Sequence, residues 1–403
     1  MNTNIFYLEI HNIHDLHVIS NIDISEKKNL NVKFSTESID EHTKIRIIHL
    51  LFHQGFKLVS ETSEELTFKN TRFKKIAFHI NFFCIRGTST AIYDYAHYAE
   101  QILHHQSIII VPNSSLSKNV RIAQKKFEKR FQIFYYDSQK QMDEILLKEG
   151  CDIFYVIKYG TNDGISTKVV KTCIHCVFDM SQPHGDVYAG VSKQIATKYG
   201  KQTFVPHMVM EPNFNSGNLR NHLGIPSSAV IFGYHGGYDS FNIHFAQNVV
   251  KKTSRLLHHV YFVFVNIPNF DKGNSKIFFL NKIVEKEDKY RFINTCDCCL
   301  EAQSLGQSFG LSLADFSVHN KPIITYGGPV LNDNYKRILG NKAMYYTNEQ
   351  ELMHLIHNFK KEDYKGKDLN CYTEYSPDNV IKIFDEVFIN PHHPQMFTSS
   401  KEL

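Results

Sequence analysis

The chain has no tryptophan, only 20 glycines and 11 prolines in 403 residues, and no marked excess of charge of either sign. Glycine and proline at that level exclude a collagen-like or low-complexity chain, and 42% hydrophobic residues exclude an intrinsically disordered one. Lys plus Arg is 45 against 41 for Asp plus Glu, a formal net charge of +4, too balanced for a protein that coats nucleic acid. The longest apolar run, around Val260 to Val265, is far too short to cross a bilayer. Met1 is followed by polar residues, with no basic segment and apolar stretch behind it, so no leader is expected. The expectation is a cytoplasmic protein without a transmembrane segment or a nucleic-acid partner, with peripheral membrane contact left open.

Several catalytic signatures are also missing. The glycine segments CIRGTSTA and GYHGGYDSF do not match the G-x-G-x-x-G of dinucleotide enzymes. There is no G-x-x-x-x-G-K-[ST] loop for an NTPase and no G-x-S-x-G elbow for a hydrolase. The eight cysteines lie mostly in apolar runs and read as reduced core residues. Cys173-x-x-Cys176 falls on an expected strand, where residues three apart point to opposite faces and cannot chelate one ion. No metal and no cofactor are expected.

What is present is alternation. From about residue 75, short β-rich runs alternate with segments of helical period. SIIIVP (107–112), QIFYY and CDIFYVI (151–157) are expected strands, and Ala91, Ile92, Tyr95, Tyr98, Ala99, Ile102 and Leu103 fall on one helix face. The pattern pauses at 204–226, which holds three prolines, and restarts at SAVIFG (228–233). A helix is expected from about Asp239, strands at HVYFVFVNI, IFFL, YRFINTCDCCLEA, PIITYG and AMYYT, and a helix near Ser308. Helices at 349–359 and 377–388 close the chain, the last free to pack back on the first half. Strands separated by such helices form parallel βαβ units. The expected fold is α/β: two tandem Rossmann-like domains, 75–205 and 206–403, behind a small α+β appendage, 1–74. In such sheets ligands bind beyond the carboxyl ends of the strands, and two facing sheets make a cleft for two substrates.

The most informative stretch is CDCCLEAQSLGQSFGLSLADFSVHNKPIITYGG (296–328). A strand, a loop and a helix follow one another, with Ser308 placed to cap the helix and the amides of Phe309, Gly310 and Leu311 free to meet a diphosphate. Gly310 allows close backbone approach. Asp315, two turns on, can reach ribose hydroxyls, and Gln307, just before the helix, can reach a second ring. This segment resembles the acidic-loop motif of GT-B glycosyltransferases, in particular the large retaining family four. In that family two glutamates eight positions apart flank an FG-containing helix start. IRGTSTAIYDYAHYAE and the run from VIKYG to PHGDVYAGVS resemble a less-studied branch of these enzymes, so the resemblance spans about residues 75–390.

The resemblance implies transfer of a sugar from a nucleotide-diphosphate sugar to a hydroxyl acceptor (glycan, lipid or protein), with retention and without metal. It also makes His175 similar to a cleft histidine that contacts the donor sugar. The chain departs from the motif in having Gln307 for the first glutamate and Asp315 for the second. The turn 233–239, Gly-Tyr-His-Gly-Gly-Tyr-Asp, lacks the family's Arg and Lys that neutralise the leaving diphosphate. Its His235, Gly236 and Gly237 still form an amide-rich turn able to hold phosphate. The absent charge falls to Arg86 or Lys158, each at an expected strand end; Gly87 and Thr88 follow Arg86 in a loop facing the cleft. His175, Arg86 and Gln307 are thus the candidate catalytic residues. A degenerate, non-catalytic binder of sugar nucleotides or glycans is the competing expectation.

Overall fold

The structure is a computed structural model that describes residues 5–11, 15–21, 23–24, 27–34, 40–62, 64–85 and 87–390. Residues 1–75 together with 104–106 form one compact unit, and the remainder forms a second. The first unit contains β1 (Ile5–Ile10), α1 (Leu16–Asn21), β2 (Asn29–Phe34), α2 (Glu41–His53), β3 (Phe56–Glu61) and β4 (Glu65–Asn70). Its sheet runs β1-β2-β4-β3, parallel at β1–β2 and antiparallel elsewhere. Leu30, Val32, Ile47, Leu51, Leu66 and Phe68 form its core. Asp40 caps α2 by accepting the Thr43 N–H at 2.8 Å.

The second unit opens with β5 (Lys75–His79), α3 (Gly87–Gln101), β6 (Gln106–Pro112), α4 (Arg121–Glu128), β7 (Gln132–Tyr136) and α5 (Gln139–Lys148), the first residues of β5 and β6 falling at the boundary with the first unit. β8 (Ile153–Lys158), β9 (Lys171–Cys176), β10 (Val187–Gly190) and α6 (Lys193–Lys198) complete this half. Its sheet order is β10-β9-β8-β5-β6-β7. All six residues of β8 are buried, as a central parallel strand covered on both faces requires.

The other half contains β11 (Val230–His235), α7 (His244–Leu256), β12 (Val260–Val265), β13 (Ile277–Leu280), α8 (Lys286–Thr295) and β14 (Cys298–Leu300). It continues with α9 (Leu311–Val318), β15 (Ile323–Tyr326), α10 (Asn334–Leu339), β16 (Met344–Tyr346) and α11 (Glu349–Asn358). Its order, β13-β12-β11-β14-β15-β16, repeats the winding of the first sheet strand for strand. Each sheet therefore reverses direction beside its first strand, between β5 and β8 and between β11 and β14. That reversal opens a crevice at the carboxyl ends of those strands. The last helix, α12 (Pro377–Phe384), leaves the second half: Val380, Ile381 and Phe384 lie in the first half's core, and Phe384 stacks on Tyr95 at 4.9 Å.

Three sequence expectations are corrected. YRFINT is not strand: Tyr290 and Ile293, three apart, are the buried face of α8, and only Cys298–Leu300 pairs in the sheet. The helix expected from Asp239 begins at His244, because Phe241 is drawn into an aromatic cluster with Phe264 and Phe270. The helix expected near Ser308 begins at Leu311, with Gly310 rather than Ser308 at its cap position. At the start of the 204–226 segment, Val205, Met208 and Met210 pack in the first half's core and Val209 in the second's.

Candidate functional site

A cavity of about 540 Å³ lies between the two Rossmann halves, at the carboxyl ends of both sheets. The first turn of α3, with Gly87 and Thr88, borders it from one side. The turn after β11, with His235, Gly236 and Gly237, borders it from the other, together with Gln307, Ser308, Phe309, Gly310, Leu311 and Asp315. Residues separated by more than two hundred positions thus meet around one space. Gly87 and Thr88 belong to a helix start, not to the loop expected from sequence. Arg86 lies outside the described residues.

Two expected residues are elsewhere. His175 is fully buried in β9; its Nδ1 pairs with the Tyr155 hydroxyl at 2.6 Å and its Nε2 with the Val205 carbonyl at 2.8 Å. Burial pushes its pKa down to about 3, so it stays neutral, with no ring atom left for a substrate. Lys158 is 5% exposed and donates to Asp163 at 2.5 Å and to the Ile165 carbonyl at 3.1 Å, so its charge is spent on its own loop. Neither residue lines the cavity.

The start of α9 differs in detail from the sequence expectation. Phe309 is drawn into the core, its carbonyl accepting the Tyr372 hydroxyl at 2.9 Å, while the Ser308 carbonyl accepts from Asn334 at 2.9 Å. The chain must then reverse into the helix, which Gly310 achieves at φ 85°, a left-handed conformation that other residues rarely adopt. The first helical bond runs from the Ala314 N–H to the Gly310 carbonyl at 2.8 Å. The N–H groups of Leu311, Ser312 and Leu313 stay outside the ladder, and Leu311 and Ser312 border the cavity.

Asp315 sits on the next turn with its carboxylate between Lys289 and His235. Lys289 donates to both oxygens, at 2.8 and 2.9 Å, and His235 Nε2 lies 3.2 Å from Oδ2, its ring stacked on Phe316. Burial alone would raise the Asp315 pKa, but Lys289 and His235 hold it well below the usual carboxylate range. The loop before α9 is braced by Glu301, a fully buried carboxylate at the foot of β14. It accepts from the Thr325 hydroxyl at 2.5 Å, the Gln303 N–H at 2.8 Å, the Tyr326 N–H at 3.3 Å and the Gln307 amide at 3.4 Å. Burial raises the Glu301 pKa against the pull of these donors.

Sequence reasoning missed the cations of the site. Lys126 on α4 and Lys286 and Lys289 on α8 all border the cavity, with the buried Asp94 of α3 beside them. Reading the second part of α8, from Tyr290, as a strand hid the signal: Lys286, Lys289 and Ile293 recur at helical spacing. Lys126 shows none, since its neighbour Lys125 has the same chemistry and is exposed.

The bracing yields one stability prediction. Gly306 has φ 69°, and a Cβ there would lie 2.1 Å from the Asn332 carbonyl oxygen. Gly306→Ala is expected to destabilise by about 3 kcal/mol, the sum of left-handed strain and overpacking, as urea denaturation would show.

Comparison with protein-family models and with curated protein sequences finds no match. Solved structures do match. A glycosyltransferase from Rickettsia africae superposes with TM-score 0.54 at 14% identity, over 79% of this chain and 95% of that one. Anabaena HepE in complex with UDP-glucose gives TM-score 0.53 at 12% identity, over 79% and 97%. The chain has the GT-B glycosyltransferase fold. A Listeria monocytogenes protein assigned as a UDP-N-acetylglucosamine 2-epimerase shares it, with TM-score 0.50 at 11% identity over 78% and 96%. The architecture expected from the acidic-loop resemblance is therefore present, with the 296–328 segment at the cleft. Among the described residues, no helix is long and apolar enough to cross a membrane, and no three His, Cys, Asp or Glu side chains converge on a metal position.

Proposed function

We propose that the protein transfers a sugar from a nucleotide-diphosphate sugar to a hydroxyl-bearing acceptor, a glycan, lipid or protein. The observation that carries this reading is the convergence on one cavity of the α9 start, the Asp315–Lys289 pair and Lys286, at the switch point of the second sheet. Free amides and an ammonium group favour a diphosphate there. An ionised carboxylate has lone pairs to spare after Lys289, so Asp315 accepts from ribose hydroxyls. Gln307 offers its amide to the sugar. Anabaena HepE, with the same fold, was solved with UDP-glucose, which supports the donor class.

In the reaction proposed, the bond from the anomeric carbon to the diphosphate breaks and its electron pair stays on the phosphate oxygen. Lys286 and the α9 amides stabilise that charge as it develops. The acceptor oxygen bonds to the anomeric carbon, and its proton leaves on the diphosphate. Transfer with retention and without a metal ion follows the acidic-loop resemblance. The halves meet at the buried connector, where Tyr95 donates to the Pro206 carbonyl at 2.6 Å, and closure about that point would exclude water.

NMR analysis of the full chain incubated with UDP-, GDP-, ADP- and dTDP-sugars, with and without acceptors, tests the reading. Acceptor-dependent consumption of one donor, with product anomeric configuration unchanged, is expected. Isomerisation of the sugar without acceptor would instead make the protein an epimerase, as the Listeria likeness allows. Binding without turnover would make it the non-catalytic binder that Gln307 and the missing Arg and Lys favour.

A further inference from the structure

We propose that Lys126, on the half opposite the acidic loop, is a donor-site residue: with Lys286 it grips the diphosphate from two sides, so that donor binding itself closes the cleft. This rests on the sugar-nucleotide reading above, and no part of the acidic-loop motif includes α4.

The position of Lys126 is unusual for a lysine. Ala123 and Phe127 are the buried face of α4, Lys125 is exposed, and Lys126 turns along the cavity wall with its ammonium 4.2 Å from the Tyr93 ring centroid. A cation over an aromatic face is held in a defined direction, here toward the other half. Lys286 and Lys289 both act on it across the cleft, adding to burial in lowering its pKa, while Asp94 and Glu285 oppose them. Among the described residues neither Lys126 nor Lys286 is within ion-pair distance of a carboxylate, whereas Lys289 is fully engaged by Asp315.

The placement of the ammonium groups points to an anion. Lys289 and Asp315 cancel, which leaves the ammonium groups of Lys126 and Lys286, from opposite halves, around the same cavity as the carboxylates of Asp94 and Asp239. Like charges gathered in a partly desolvated space repel, and a dianion between them reverses the sign of that interaction. Since one ammonium stands on each half, the same dianion draws the halves together. An acceptor phosphate would offer similar chemistry, but the link to Lys289 and Asp315 ties the cluster to the donor side.

Isothermal titration of the full chain with UDP and with inorganic pyrophosphate tests this. Lys126→Met, which keeps the hydrocarbon stem on Tyr93, and Lys126→Gln should each weaken both ligands tenfold or more, roughly the loss of one charge-assisted contact. Lys126→Arg should restore most of the affinity, and Lys125→Gln should change nothing. Small-angle scattering should show pyrophosphate contracting the wild type but not Lys126→Met. Affinities for both ligands unchanged in Lys126→Met, with Lys286→Gln weakened, would overturn this inference alone. Wild type that binds neither pyrophosphate nor any of UDP, GDP, ADP and dTDP would overturn the sugar-nucleotide reading with it.

Discussion

Replacing Asp315 by asparagine is expected to lower donor-dependent turnover about a hundredfold and to cost the fold about 3 kcal/mol at pH 7. The kinetic loss comes from one or two charge-assisted contacts to ribose, each about 1.5–3 kcal/mol, where about 1.4 kcal/mol is tenfold in rate. The stability loss comes from Lys289, whose side chain is 24% exposed and would lose its carboxylate partner. The pH dependence separates the pair from a general packing defect. The Asp315 pKa is lowered on folding from a usual 3.8, so its stabilisation is complete above that value and is lost only as pH falls through it. Urea denaturation at pH 8 and at pH 6.5 should therefore show the same gap between wild type and Asp315→Asn. A gap that shrinks over this range would mean that the carboxylate is not held as described.

Acid should unfold the protein well before its carboxylates titrate. His79, His175 and His207 are buried, and burial pushes their pKa values down to about 3, about 3 and about 4. A histidine whose folded pKa is depressed takes up its proton first in the unfolded chain. The fold thus carries no penalty above the usual 6.5 and loses stability as pH falls from there toward the folded value. At pH 5 the loss is about 2 kcal/mol for each, hence about 6 kcal/mol for the three, comparable with the whole stability of many proteins. His175 has both ring nitrogens engaged, and His79 pairs with the Tyr136 hydroxyl at 2.8 Å, so charging any of them would break the core. Circular dichroism from pH 7 to pH 4.5 should show a cooperative transition with an uptake of about three protons. Uptake of less than one would contradict the assignment.

The fold was legible because parallel sheets write themselves plainly. Buried strands such as β6 and β8 are uninterrupted apolar runs bounded by proline or charge, and the alternation with helices carries the topology. The strands of the first unit are instead written by alternation, as in β4 and the start of β2, where every second residue is buried, whereas α1 has too few residues to show a period. The site was legible where backbone chemistry makes it: the glycine turn after β11 and the 307–315 segment both reach the cavity. Side-chain charge was not legible. Lys158 and His175 stood at suitable strand positions, yet Asp163 and Tyr155 claim them, and no spacing reveals such tertiary partners. Lys126 and Lys286 come to one cavity only because two halves of the chain face each other. Phe292 and Ile293, adjacent and apolar, masked the helix that carries Lys286 and Lys289.

The central claim is that the lysine-lined cleft holds the diphosphate of an activated sugar. Thermal unfolding of the full chain with UDP-, GDP-, ADP- and dTDP-sugars tests it most directly. At 100 times its dissociation constant, one of these donors should add about 2.7 kcal/mol of stability. That gain should shrink in Lys286→Gln at the same concentration. A melting temperature that none of the four moves would contradict the claim.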